Sequence, residues 1–155
     1  MSSFFVITLT ALAGLFGVWL SEYIRRKKAL REAIVCPAGF DCQTVITSRY
    51  SKFFGIPVEN LGILYYSFVS ISYAFFLFFP FLHNDLFSFF VLAITTLAFI
   101  FSIYLTFIQV IVLNQWCTVC LASAFLCSVI FVSVWTSTDL DIIAFLDSIV
   151  GVLPF

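Results

Sequence analysis

The chain has 155 residues, is 63% hydrophobic and only 10% charged, and carries 22 Phe. A soluble domain of this length is about half apolar and about a quarter charged, so a water-facing globular fold is excluded and the chain reads as one integral membrane domain. The net charge of −1 hides an asymmetry: all seven cations fall between Arg25 and Lys52. So short a basic run beside membrane spans suits anionic lipid headgroups rather than nucleic acid.

Ser3 to Ile24 is apolar apart from scattered Ser and Thr and the closing Glu22. At a rise of about 1.5 Å per residue it crosses a hydrocarbon core of roughly 30 Å. The segment lacks a positive n-region and is long for an h-region, which argues against a cleaved signal peptide. Arg25 to Ile34 reads as a helical extension of this first span. In Cys36-Pro37-Ala38-Gly39-Phe40-Asp41-Cys42, Pro37 and Gly39 turn the chain. Asp41 is the expected N-cap of a short helix over Gln43 to Phe54. Its apolar positions, Val45, Ile46, Tyr50, Phe53 and Phe54, fit a face lying on the membrane. Gly55 ends that helix, and Ile56-Pro57 starts an extended segment.

Gly62 to Phe79 is the second span, stopped by Pro80. Phe81 to Leu86 is a turn; its His83 is given no role. Phe87 to Leu113 is the third span, long enough to tilt. Asn114, Gln115 and Trp116 separate it from the fourth, Cys117 to about Thr136, and Trp116 suits a headgroup-level anchor. The tail, Thr138 to Phe155, carries three Asp among apolar residues and reads as a surface-lying or partial membrane helix. The expected fold is thus an all-α membrane protein. Residues 1–137 form a four-transmembrane-helix bundle with a short interfacial helix in the first loop, and residues 138–155 form the tail.

With four crossings, the loops after spans one and three emerge on the same side. Cys36, Cys42, Cys117 and Cys120 are therefore expected at one membrane face. Cys117 and Cys120 lie about one turn apart on one face of a helix, within the roughly 7 Å that a disulfide tolerates between Cα atoms. The helix N-terminus stabilises a thiolate there, and its place at the bilayer edge admits a lipid-soluble oxidant. Cys36 and Cys42 lie in a loop open to a soluble protein thiol. Two pairs with different access suggest electron transfer from protein thiols to a membrane quinone. The competing readings are buried or inert cysteines, structural disulfides in a non-enzymatic scaffold, and a four-thiolate zinc site, for which the C-x-x-C has little room. Cys127 is read as core packing.

Among the polar residues, Ser48 is placed to bond a quinone carbonyl, a thiolate or simply a backbone carbonyl. Ser102, Thr106 and Gln109 share a face of span three. Gln109 is costly in lipid without a partner, which makes it either a quinone contact or an interhelical bond. Tyr65, Tyr66 and Tyr73 either line a pocket or pack.

These residues resemble the vitamin K epoxide reductase family, specifically its bacterial and archaeal quinone-linked members. The matching elements are Cys36-x5-Cys42, Ser48-Arg49-Tyr50, Gly55-Ile56-Pro57, Gly62, Tyr66 and Cys117-x-x-Cys120, spread over residues 3 to 137. The resemblance implies a four-helix bundle around a quinone of the ubiquinone or menaquinone type, capped by the short helix. It also implies roles. Cys36 exchanges with a thioredoxin-like partner, Cys42 passes electrons to Cys117, and Cys120 reduces the quinone. Ser48 and Tyr66, with Ser102 and Gln109, are the candidate quinone contacts; no metal is expected. Animal members have a tyrosine where Ala124 stands and an asparagine where Val58 stands, which argues against vitamin K epoxide chemistry and coumarin-type inhibition. Some prokaryotic members carry a fused thioredoxin domain. This chain ends at Phe155 without one, so the partner is expected to be a separate protein. The other bacterial four-helix family of quinone-linked disulfide oxidases is the runner-up; its C-x-x-C lies elsewhere in the order.

The basic first loop favours a cytoplasmic position for the sulfurs by the positive-inside tendency. The family holds them outside, where disulfides persist. The expectation adopted is a multi-pass protein of the cell membrane with its redox cysteines on the extracytoplasmic side.

Overall fold

The computed structural model describes residues 2–82 and 84–152, with side chains left aside at 2–3, 82, 139–149 and 152. Its helices are α1 (Ser2–Ala29), α2 (Cys42–Thr47), α3 (Val58–Phe78), α4 (Asp85–Phe107) and α5 (Thr118–Val152). A two-stranded antiparallel hairpin, β1 (Lys52–Phe53) and β2 (Ile56–Pro57), pairs Lys52 with Pro57 and Phe53 with Ile56. Among the described residues, four segments are long and apolar enough to cross a membrane: Phe4–Ala29, Val58–Phe78, Asp85–Val112 and Thr118–Thr138. They are the four expected spans.

Their outer faces carry exposed Phe4, Leu12, Ile71, Phe89, Leu97 and Phe125, as lipid-facing helices require. Several hydroxyls within the spans are bonded inside their own helices. Thr10 donates to Val6 O at 2.8 Å, Thr96 to Leu92 O at 2.7 Å and Ser128 to Ala124 O at 2.8 Å, so few polar groups meet lipid unpaired.

Small residues set the packing order. α1 lies against α3 and α5, and α4 lies against α5. A Cβ on Gly14 would stand 3.1–3.2 Å from the Ser70 backbone, and Ser70 Oγ donates to Ala11 O at 3.3 Å. This is the close helix approach that small residues permit in a membrane. The core between α1, α3, α4 and α5 is built from Tyr66, Val69, Phe76, Val91, Ile130 and Val134.

Several boundaries differ from the sequence expectation. α1 stops at Ala29 instead of running to Ile34. Arg31 takes the left-handed conformation (φ 55°), Arg31 N–H bonds Lys28 O at 3.3 Å and Glu32 N–H bonds Lys27 O at 3.0 Å, which is the paired bonding of a Schellman stop. The short helix of the first loop ends at Thr47, not Phe54. A single turn of 3₁₀ helix, Arg49–Ser51, and the hairpin follow it. Phe54 (φ 50°) and Gly55 (φ 81°) form the turn of that hairpin, and two successive positive φ angles mark a type I′ reversal. α3 starts at Val58, four residues before the expected Gly62, with Pro57 at its N-cap position. α4 ends in a π-helical turn, Ile108–Val112, closed by Asn114 at φ 53°. The tail expected at 138–155 continues α5 to Val152. The last residues and His83 lie outside those described.

Candidate active site

The first loop folds back so that its two cysteines meet. Phe40 N–H bonds Pro37 O at 3.1 Å, with Gly39 at φ 91°, a turn that glycine makes without steric cost. It brings Cys36 and Cys42 into a disulfide with Cα atoms 6.3 Å apart. Asp41 caps α2, accepting from Thr44 N–H at 3.0 Å and from the Thr44 hydroxyl at 2.6 Å. These bonds, that of the hydroxyl foremost, hold its carboxyl below the ordinary carboxylate range. Asp41 N–H in turn bonds Trp116 O at 3.1 Å, which pins the first loop to the segment leading into α5.

That contact joins the sulfur pairs. Cys42 (1% exposed) and Cys117 (0% exposed) pack in one buried cluster with Ile34 and Ile46, and Cys36 and Cys120 pack against it. Cys117 directly precedes α5, and Cys120 N–H bonds its sulfur at 3.3 Å. Cys117 thus caps the helix with sulfur. The Cys120 thiol, followed by the backbone N–H groups of Cys120 and Val119, lowers its pKa from the ordinary thiol value against the effect of burial. Cys117, Cys120 and Cys127 are free thiols. Thr118 stands between the pairs, its hydroxyl donating to Cys36 Sγ at 3.2 Å and lying 3.5 Å from Cys42 Sγ.

Below the sulfurs lies an apolar cavity of about 770 Å³, with walls from α1, α3, α4 and α5 and a cap from the first loop. Val45, Ile46, Tyr50 and Phe53 line it, so those side chains of the loop point at the bundle. Phe54 is 89% exposed. Cys120 and Cys127 both line the cavity, as do Ser48, Tyr66, Ser102 and Gln109. Their hydroxyls and amide differ in availability. Ser48 donates to Val45 O at 2.7 Å, the backbone alternative weighed for it. Tyr66 donates to Ser123 O at 2.7 Å and lies 2.9 Å from Ser123 Oγ. Gln109 is 2% exposed and its Nε2 has no hydrogen-bond partner among the described residues. It sits in the π-helical turn, a distortion that often marks functional sites, and a buried unpaired amide costs about 1–3 kcal/mol unless a ligand satisfies it. Tyr65 also lines the cavity, whereas Tyr73 belongs to the packed core.

A profile of the Vitamin K epoxide reductase family matches residues 5–135. The chain belongs to that family. No curated protein matches it. The matched span holds both cysteine pairs and every residue that lines the cavity, and family membership makes the chain a multi-pass membrane oxidoreductase. Val58 and Ala124, the positions of the two departures from the animal members, both line the cavity.

Two residues were not singled out from the sequence. One is Thr118, whose place inside the C-x-x-C was its only signal. The other is Glu59, buried on the cavity wall and paired with Lys28 at 3.0 Å; Lys28 also donates to Ser51 Oγ at 3.2 Å. This pair ties α1 to α3 at the sulfur end. Its signal was the cluster of cations at the end of span one.

Proposed function

We propose that this protein is a thiol–disulfide oxidoreductase that oxidises a separate thioredoxin-like protein and delivers two electrons to a quinone of the ubiquinone or menaquinone type, supporting disulfide formation. The observation that carries this reading is the shared buried cluster of Cys42 and Cys117, with Cys36 on its outer side and Cys120 on the apolar cavity. Cys36 is flanked by Val35, 89% exposed, so a partner thiolate reaches it first. Attack on Cys36 releases Cys42 as a thiolate. Once Cys117 and Cys120 are joined, Cys42 attacks Cys117 and Cys120 leaves. The partner's second thiol then frees Cys36, and Cys36 closes again on Cys42, leaving Cys117 and Cys120 reduced.

The cavity fits a quinone: its walls are apolar, its volume of about 770 Å³ lies in the ordinary range for ligand sites, and the Gln109 amide is an unused donor. Gln109 and Ser102 would hold the ring, with Ser48 and Tyr66 shaping the wall. When bound, the quinone supplies a sink for two electrons and two protons. Cys120→Ala is expected to abolish quinol formation by a reduced thioredoxin-like protein. Activity equal to the parent in this variant would refute the assignment.

The sulfurs are assigned to the extracytoplasmic side, because disulfides persist there. In intact cells treated with reductant, a membrane-impermeant maleimide is expected to label Cys36. Labelling only after lysis would reverse the orientation.

A further inference from the structure

Thr118 is the first residue of α5, and its hydroxyl touches both sulfurs of the loop disulfide: it donates to Cys36 Sγ at 3.2 Å and lies 3.5 Å from Cys42 Sγ. We propose that Thr118 is a catalytic hydrogen-bond donor that stabilises the Cys42 thiolate released when the loop disulfide opens, an assignment that rests on the relay proposed above.

The need for such a donor follows from where the electrons go. Cys36 is half-buried beside the exposed Val35, whereas Cys42 is 1% exposed. An incoming thiolate therefore bonds to Cys36 Sγ, the Cys36–Cys42 bond breaks, and the electron pair leaves on Cys42 Sγ. A thiolate formed there has no water to solvate it, and burying a charge without a partner is costly.

The surroundings offer little other help. α2 has only six residues, and the Thr44 N–H of its first turn is already bonded to Asp41. The Asp41 carboxylate, next to Cys42 in the chain, adds negative charge where negative charge must form. Thr118 answers this need without giving up its proton. Its O–H turns from Cys36 Sγ to Cys42 Sγ as the bond between them breaks. Hydrogen bonds to ionised groups are about twice as strong as neutral ones, so the contact strengthens as charge develops on the leaving sulfur. The same bond then holds Cys42 beside Cys117, its neighbour in the buried cluster.

The test isolates the first step. In the full chain carrying Cys117→Ala and Cys120→Ala, the loop disulfide is reduced by dithiothreitol, and its loss is followed by acid quench, alkylation and mass spectrometry. Adding Thr118→Val, which keeps the shape and removes the donor, is expected to slow reduction by at least about tenfold. Thr118→Ser, which keeps the hydroxyl, is expected to stay within about threefold of the parent on the same grounds. A Thr118→Val rate equal to the parent overturns the proposal. So does a Thr118→Ser rate as slow as that of Thr118→Val, since shape rather than the hydroxyl would then govern. No quinone takes part, so failure here leaves the Cys120→Ala test standing, and failure of that test leaves this one readable.

Discussion

Replacing Cys42 with Ala is expected to lower quinone reduction by a thioredoxin-like dithiol by at least about a thousandfold, roughly 4 kcal/mol at the transition state. The reason is connectivity. Cys42 is the loop sulfur inside the buried cluster with Cys117, and Cys36 packs only against its edge. Without Cys42 no loop disulfide forms, so Cys36 has nothing to accept the partner's electrons and no inner sulfur to pass them on. Quinol formation followed by absorbance checks the rate. On a non-reducing gel, the variant should still capture an oxidised partner through Cys36 as a mixed disulfide. The buried shell around position 42 loses only one sulfur atom, so the spans should assemble as in the parent. Turnover within tenfold of the parent would mean that electrons bypass Cys42.

The second large effect falls on the bundle. A Cβ on Gly17 would lie 2.4–2.7 Å from three atoms of the Tyr66 ring. That ring is not free to move: Tyr66 is 3% exposed, and its hydroxyl is bonded to Ser123 at 2.7 Å. Gly17→Ala must therefore push α1 from α3 or break the Tyr66–Ser123 bond. Overpacking of this kind costs about 1–3 kcal/mol, and Gly17→Leu is expected to prevent accumulation of folded protein. The thermal transition of the purified protein should fall in Gly17→Ala. Combining it with Tyr66→Leu should cost less than the sum of the two single changes, because the smaller side chain yields the space. Additive losses would show that the two residues do not compete for one site.

The spans were legible because long apolar runs leave the chain no other stable placement, and from their number the common face of the four cysteines followed. Their ends were not legible. Residues 25–34 are good helix formers, yet the helix stops at Ala29 because Arg31 turns left-handed and Ile34 is drawn into the cluster with Cys42 and Cys117. Glu59 lies before Gly62, where the second span was expected to begin. It is helical and buried because Lys28, on another span, neutralises it. The Asp41 cap was readable as a local side-chain-to-backbone bond. The bond from Asp41 N–H to Trp116 O was not, since it joins segments far apart in sequence. The same holds for Thr118, whose partners lie more than seventy residues away. The π-helical turn that carries Gln109 has no periodic signature, so the sequence placed Gln109 on a polar face of span three but could not show its amide buried and unpaired.

The most direct test of the relay is whether Cys42 and Cys117 can bond to each other. In the full chain carrying Cys36→Ser, Cys120→Ser and Cys127→Ser, only these two thiols remain. Mild oxidation in a lipid bilayer is predicted to join them in most molecules, seen as a faster band on a non-reducing gel and as a linked peptide pair by mass spectrometry. If both thiols instead stay open to alkylation after oxidation, the two sulfur pairs are not in exchange, and the proposed path for the electrons does not exist.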